Sequence, residues 1–248
     1  MNPTGLIGLG FVAFSAICMA IFAIVHRSSP FSFRKIPAFS RIKQAVRLLV
    51  EDGTRLHFSL GNASMLGADG ASALAGLVLL RRLGEITSLG DRPPVATTGN
   101  ALLNLMAQDT LRAAHDAVLP DEPFDMTNAR LTGFTPFSYA AGVMAASGSE
   151  NISSSVLIGN FGPEVGLLAE AAGSQNATVI SASDSLTAQA VLYVSSTDML
   201  IGEELFAAGA YDQAGSMHAA SLLLQDVLRW VIILALLVGA GLKLAGLL

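Results

Sequence analysis

The chain has little charge, one cysteine and no basic residue over a long stretch of its second half. Only 13% of its 248 residues are charged, against roughly 25% in an ordinary soluble domain, and 52% are hydrophobic. The single cysteine, Cys18, excludes a disulfide within the chain. This composition also excludes a disordered polymer and a nucleic-acid binder built on a basic surface. A membrane protein fits best, although the length also suits one large soluble domain.

The few charges are sorted along the chain. Seven of the fourteen Lys and Arg lie within 27–55, and none lies within 131–228. The same run, 131–228, holds nine Asp and Glu. A basic first part and an acidic second half therefore need separate explanations.

Two long apolar stretches predict transmembrane helices. Residues 5–25 carry no charge, and 230–248 carry only Lys243; about 20 apolar residues in a helix cross the hydrocarbon core. A cleaved signal peptide is the alternative for the first stretch, but its charges follow the apolar run instead of preceding it. A buried core helix is the alternative for the second, which is apolar all round and begins at Trp230. These stretches predict spans within 1–26 and 229–248, flanking a domain over 27–228.

Basic residues directly after the first span predict the orientation. Because cytoplasmic loops carry the excess of Lys and Arg, the central domain is expected in the cytoplasm and both termini outside. Arg229 agrees with this orientation, and Lys243 weakly opposes it. The lipid bilayer is thus one expected partner, and the basic cluster is His26, Arg27, Arg34, Lys35, Arg41, Lys43 and Arg47.

The domain between the spans has the pattern of an α/β fold. After a predicted linker at 28–40, Pro37 begins a helix that Gly53 ends. Short β-branched runs then alternate with helical segments, which predicts a Rossmann-like parallel sheet with helices on both faces. The predicted strands lie near 55–60, 94–98, 128–132, 154–159, 177–182 and 190–196. The predicted helices lie near 70–88, 100–117, 135–147, 163–173, 200–211 and 215–228. The last of these either ends before the second span or continues into it.

Small residues follow the predicted strands. In open α/β sheets ligands bind outside the carboxyl ends of the strands, where glycine leaves room and helix N-termini present N–H groups. The alternative is that tight strand-to-helix turns simply require these residues. The turn at 159–164 has neither the glycine spacing of a dinucleotide fingerprint nor the lysine of a phosphate loop. The ligand-binding candidates are Gly61, Gly99, Gly159, Gly162 and Glu164.

Acidic residues form a second candidate group: Glu170, Asp198, Glu203 and Glu204. Such carboxylates bind a divalent cation or perform acid–base work. Alternatively they cap helices or form ion pairs with Arg112, Arg130 or a neighbouring subunit. The four histidines lack metal-ligand spacing, and no serine lies in a Gly-x-Ser-x-Gly elbow. The sequence therefore assigns no catalytic residue, and it identifies neither a metal nor a cofactor.

Two segments carry a resemblance to a known family. The runs LIGNFGPE at 157–164 and TDMLIGEELFAA at 197–208 resemble an uncharacterised prokaryotic membrane-anchored family, known only as a domain of unknown function. Gln225, Asp226 and Arg229, before the last apolar stretch, also match its pattern. The resemblance covers most of 36–229. It implies a membrane-anchored α/β domain and implies no activity.

These observations predict an assembly or scaffold protein, or a complex subunit, with room for a small ligand at the strand ends. Small residues in both spans favour close helix packing, so copies of the chain or a membrane-complex partner are the expected partners, and nucleic acid is not. The rival hypothesis is a membrane-bound hydrolase or transferase, or a metabolite sensor. It would use the 159–164 turn and the acids of 198–204.

Overall fold

The structure is a computed structural model that describes residues 3–28, 33–67, 69–211 and 215–246. The predicted linker at 28–40 includes residues 29–32, which lie outside the described residues, as do the side chains of His26 and Arg27. The chain forms two compact units. One consists of 1–34 and 209–248, and the other of 35–208.

The second unit is an α/β domain. Its first helix, α2 (Pro37–Glu51), begins with Pro37 in the first turn and buries an apolar stripe that includes Ile42, Val46 and Leu49. Gly53 ends it in the left-handed region, at φ 64°. The strands are β1 (Arg55–Gly61), β2 (Val95–Thr98), β3 (Ala129–Leu131), β4 (Ile152–Asn160), β5 (Thr178–Ser183) and β6 (Asp198–Leu200). The helices are α2 (Pro37–Glu51), α3 (Gly70–Thr87), α4 (Ala101–Val118), α5 (Pro136–Ser147), α6 (Val165–Ser174) and α7 (Leu186–Ser195), with 3-10 turns at Met126–Asn128 and Gly202–Ala207.

The six strands form one parallel sheet in the order β3-β2-β1-β4-β5-β6. This is the order of the doubly wound Rossmann fold, in which the chain changes direction between β1 and β4. The predicted α/β class, parallel sheet and Rossmann-like topology are confirmed.

Helices cover both faces of the sheet. Gly76 of α3 packs on Leu60 and Ile158, whereas Tyr139 of α5 pairs with Ser59. Since successive residues of a strand point to opposite faces, α3 and α5 lie on opposite sides. The core on the α5 side is formed by α5, α6, α7 and the strands beneath them.

The prediction of the sixth strand was wrong. Residues 190–196 fall largely in α7, and the strand that pairs with β5 is Asp198–Leu200. The run from Val191 to Val194 has the β-branched and aromatic composition of a strand. However, α7 buries Ala188 and Leu192, four residues apart, which is the period of a helix. Residues 200–211, predicted as one helix, form the end of β6, a 3-10 turn and the short helix α8 (Ala208–Tyr211).

The first unit contains two long apolar helices, α1 (Pro3–Ser28) and α9 (Ser216–Leu244). Both are long and apolar enough to cross a membrane, by length and composition. They pack against each other, and Phe22, Leu223 and Trp230 line an apolar groove between them. The helix predicted at 215–228 and the second apolar stretch form one continuous helix, so the boundary drawn at 228/229 falls within α9.

Candidate functional site at the carboxyl edge of the sheet

The reversal of strand order between β1 and β4 marks the place where ligands bind in this fold class. Gly61 ends β1, and Gly159 lies near the end of β4. Gly162 and Glu164 follow in the turn to α6, and Gly99 follows the neighbouring strand β2. The structure thus places all five predicted ligand-binding candidates along one edge.

Gly61 and Gly159 bring the backbones of β1 and β4 together. A Cβ on Gly61 would overlap the Asn160 carbonyl, and one on Gly159 would overlap the Leu60 carbonyl. Both have a positive φ, 73° and 155°. The register between the two strands shifts between Ser59 and Gly61. These two glycines are therefore required by contact between the strands, and they leave no empty cradle for a ligand.

Side chains of the domain fill the space beside the other two glycines. A Cβ on Gly99 would lie 2.6 Å from the Asn62 Oδ1, and one on Gly162 would overlap the Glu164 carboxylate. Glu164 is buried, and its Oε1 accepts a hydrogen bond of 2.9 Å from the Gly162 N–H. The Glu164 carboxylate thus occupies the backbone N–H group that the turn at 159–164 would offer to a ligand.

Amide groups at two helix N-termini, those of α4 and α5, are also engaged within the domain, whereas α3, α6 and α7 have no side-chain cap. The Asn100 Oδ1 accepts from the Leu102 and Leu103 N–H groups at 3.0 and 3.2 Å, which caps α4. The Thr135 hydroxyl caps α5 by accepting from the Ser138 N–H at 3.3 Å. In phosphate-binding sites such amides point at the ligand. At α4 and α5 these amides already donate to side chains of the domain.

The predicted acids lie in different surroundings. Asp198, the first residue of β6, forms an ion pair with Arg41 of α2 at 2.7 Å. Glu204 accepts a hydrogen bond of 3.3 Å from the Ile201 N–H, and Glu170 is exposed on α6. Among the residues that the structure describes, no three His, Cys, Asp or Glu side chains form a group able to hold a metal ion. Asp198 thus pairs with a distant basic residue, but this partner is Arg41 and not the Arg112 or Arg130 that the sequence suggested.

A second acid, Glu150, lies in an ion network at the start of the sheet. It pairs with Arg55 of β1 and, at 2.6 Å, with Arg130 of β3. Arg55 also donates to the Asn128 Oδ1 at 2.5 Å. Burial would raise the pKa of Glu150, but the hydrogen bonds from both arginines and their charges outweigh it and lower this pKa below its usual value. The network joins the ends of three strands and contributes stability.

A buried polar row crosses the centre of the sheet, and sequence reasoning did not predict it. His57 Nδ1 lies 2.9 Å from the Ser155 hydroxyl, and its Nε2 lies 2.9 Å from the Thr97 hydroxyl. Two residues along β1, Ser59 pairs with the Tyr139 hydroxyl. Burial, with a smaller effect of the Arg130 charge, lowers the pKa of His57 to about 4. The imidazole is therefore neutral at neutral pH.

The polar row is a structural element of the core. A Ser–His–Asp triad has a carboxylate on the second imidazole nitrogen, whereas His57 has the Thr97 hydroxyl there. His57, Ser155 and Thr97 are each buried, so the Ser155 hydroxyl has no access to a substrate. The only signal in the sequence is the alternation of His57 and Ser59 with large apolar residues along β1.

Large apolar side chains surround the carboxyl edge. Leu66 is 94% exposed, Leu186 82%, and Phe134 and Phe137 71% each. The Asn62 side chain bridges two of these segments by donating to the Phe134 carbonyl at 3.5 Å. The segments after β1, β2, β3, β5 and β6 each contribute to this set, called the carboxyl rim here: Leu66, Leu102, Phe134, Phe137, Leu186 and Ile201. Large apolar residues within otherwise polar turns were the signal that could have revealed it.

Comparison with known proteins identifies the family and gives no activity. No curated protein and no solved structure shows significant similarity to the chain. A family model described as "Domain of unknown function (DUF6754)" matches residues 5–247, nearly the whole chain. This match confirms the resemblance carried by the segments 157–164 and 197–208. The chain is a member of this family of unknown function.

Proposed function

We propose that the protein is a membrane-anchored subunit of a larger assembly, and that its α/β domain docks a partner at the carboxyl rim. The observation that carries this proposal is the contrast at the carboxyl edge. A side chain at Gly61, Gly99, Gly159 or Gly162 would meet atoms of the domain, while the segments around them expose large apolar side chains.

The exposed rim residues favour association on energetic grounds. Fully burying one Phe or Leu side chain stabilises by about 1.5–3 kcal/mol relative to leaving it in water. Phe134 and Phe137 lie three residues apart and are both 71% exposed, and aromatic residues are enriched at interaction surfaces. Phe134 and Phe137 are therefore the proposed centre of the docking surface.

The two apolar helices supply the proposed anchor. α1 has 26 residues and α9 has 29, which correspond to lengths of about 39 and 43 Å. Both exceed the hydrocarbon core of a bilayer, about 30 Å thick. Because the basic residues cluster after α1, the domain is proposed to be cytoplasmic, with both termini on the outer side.

The size of the complex in native membranes tests the proposal. Tagged full-length chain would be extracted in a mild detergent and sized on a native gel. We expect a species larger than one chain, and we expect the double variant Phe134→Ser, Phe137→Ser to shift it towards the monomer. The matched control is Tyr193→Ser, Val194→Ser, which removes equally exposed apolar side chains from α7, away from the rim. Thermal unfolding would verify that both variants fold.

A wild-type chain that migrates as a monomer from native membranes would contradict the assembly proposal. An equal loss of the complex in both double variants would contradict the assignment to the rim. Orientation is tested separately with Leu66→Cys in a Cys18→Ala background, using a membrane-impermeant maleimide. Labelling in inverted vesicles only is the expected result, and labelling in right-side-out vesicles only would reverse the topology.

A further inference from the structure

The outer face of α5 is a surface without charge. Residues 131–149, which include the whole helix, contain no Asp, Glu, Lys, Arg or His, whereas about a quarter of the residues in an ordinary soluble domain are charged. Most of α5 is nevertheless not buried. The residues that it buries are Tyr139, Ala140, Val143 and Ser147. Those that it exposes beyond its first turn are Ala141, Met144 and Ala145.

The two exposed aromatic residues at the start of α5 stand on a fixed backbone. The Thr135 hydroxyl accepts from the Ser138 N–H at 3.3 Å, and the Ser138 hydroxyl accepts from the Thr135 N–H at 3.0 Å, which forms a capping box. A Cβ on Gly133 would lie 2.5 Å from the Ser138 backbone, so the chain before the helix is closely packed on it. Phe134 and Phe137 therefore lose little backbone freedom when a partner covers them.

Large and small residues follow one another along the outer face of α5. Phe137, Ala141, Met144 and Ala145 are spaced by four, three and one residues, so they share one side of the helix. The largest of them, Phe137, lies near the beginning of the helix, and the small Ala145 lies near its end. Helices pack closely when a large side chain of one faces a small side chain of the other.

An antiparallel pair of α5 helices matches these sizes. If a two-fold axis passes at Ala141, Phe137 of each copy faces Ala145 of the other, because both lie four residues from the axis. Phe134 and the exposed Gly148, each seven residues from Ala141, come together in the same way. In such an isologous contact, one surface serves both subunits.

The absence of charge separates the possible occupants of this face. A surface that lies on anionic lipids carries Lys and Arg, and 131–149 has neither. A charged segment of another protein would bury its charges without an ion-pair partner here, which is costly. A second copy brings an uncharged face of the same shape, and two-fold dimers are the commonest oligomers.

Building on the proposed docking function, we infer that the partner at the carboxyl rim is a second copy of the chain. Two α5 helices pack antiparallel in this pair, with the two-fold axis at Ala141. Phe134 and Phe137 of each copy lie on the small residues at the end of the other copy's α5. Each chain thus supplies both the aromatic side chains and the surface that receives them.

A cysteine at the proposed axis tests the pairing. Full-length Ala141→Cys in a Cys18→Ala background would be oxidised with copper phenanthroline in native membranes and resolved on a non-reducing gel. A residue on a two-fold axis meets its own copy, so we expect a disulfide-linked dimer. Ala145→Cys, one turn along the same exposed face, is the matched control, and we expect it to crosslink at least about tenfold less because it faces Phe137. No dimer with Ala141→Cys, or equal dimer with both variants, would overturn the inference.

Opposite charges at the axis test whether the partner is the same chain. Ala141→Arg and Ala141→Glu each place two like charges against each other, so we expect at least about tenfold less complex on a native gel. When both variants are expressed together with different tags, a mixed complex should form again and be retrieved through either tag. Ala190→Arg and Ala190→Glu, at an exposed position of α7, are the controls and should leave the complex unchanged. Thermal unfolding would verify that each variant folds. Failure of the mixed pair to form would argue against a second copy.

A photo-crosslinker in place of Phe137, in native membranes, identifies the occupant. An adduct between two copies of the chain is the expected result. If the adduct contains a different protein while the native complex still depends on Phe134 and Phe137, the second-copy inference fails and the proposed function stands. A monomer in native membranes would remove both.

Discussion

Most glycines in the α/β domain lie against other atoms of the chain, with Gly173 and Gly202 as exceptions, whereas glycines in the two apolar helices have no such neighbours among the described residues. A Cβ on Gly76 would lie 2.7 Å from Leu60, and one on Gly133 would lie 2.5 Å from the Ser138 backbone. At Gly8 and Gly239, in α1 and α9, a Cβ would meet nothing within 4 Å among the described residues. The same residue type thus serves close packing in one unit and has no such contact in the other.

This difference has an energetic meaning. Glycine in a helix interior costs about 1 kcal/mol relative to alanine. At Gly76 in α3, contacts with Leu60 and Ile158 that only glycine permits offset that cost. In α1 and α9 no contact within the described chain offsets it, and small residues in membrane helices allow close approach of a neighbouring helix. Most glycines of the domain are therefore held in contacts within the chain, and those of the two helices are not.

The largest effect is expected when a side chain is added at a glycine that lies against a neighbouring strand. Gly159→Ala would drive a Cβ into the Leu60 carbonyl at a φ of 155°, so β4 must move away from β1. We expect a loss of about 4 kcal/mol in the free energy of unfolding, enough to prevent accumulation of the folded protein. Thermal unfolding of the purified full chain checks this. Gly173→Ala, at an open position in α6, is the control. Unchanged stability of Gly159→Ala would mean that the strands do not approach as described.

Lowering the pH tests the buried polar row in the domain. The pKa of His57 is lowered to about 4 in the folded state from 6.5 in the unfolded chain. Its contribution is therefore complete above pH 6.5 and is lost as pH falls towards 4, by about 3 kcal/mol. Denaturant unfolding across this pH range measures the loss. In His57→Asn the slope between pH 6.5 and 4 is expected to flatten. An unchanged slope would show that protonation of His57 does not lower the free energy of unfolding.

The ion network at the opposite edge of the sheet gives a smaller effect. Glu150→Gln leaves Arg55 and Arg130 without their shared carboxylate, and both arginine side chains are largely buried. We expect a loss of about 2 kcal/mol, below the value for fully buried pairs because water reaches Arg130. Chemical denaturation at neutral pH measures it. Glu170→Gln, on the exposed side of α6, is the control, and equal losses in the two variants would contradict the network.

Filling an open position gives the smallest effect. Gly239→Ala is expected to raise the stability of α9 by up to about 1 kcal/mol, because alanine favours the helix and nothing in the described chain obstructs the Cβ. Thermal unfolding and native-gel mass, measured together, check it. A drop in mass with the substitution would show that a helix of another chain packs on Gly239. Glycines of both units would then be in close contact, within the chain in the domain and with another chain in the apolar helices.

The sequence predicted the fold more fully than the site. Five strands were correctly located because β-branched runs between Gly, Ser and Thr are a local signal. α7 was mistaken for a strand because Val191 and its neighbours have strand composition, and its helical period shows only in Ala188 and Leu192. The glycines were placed at the correct edge, but the atoms that fill their space come from distant segments, as Asn160 does for Gly61. The row through His57 joins three strands, and no local pattern indicates such pairings.

No Lys or Arg occurs within 131–228, which includes three of the strands of the sheet. This absence also determines where a protease can cleave the chain. Trypsin cleaves only after these residues, so it has no site between Arg130 and Arg229. The fragment that survives digestion would contain β4, β5 and β6 whether or not they are folded. Trypsin resistance of this half is therefore a chemical property of its sequence and carries no information on its stability.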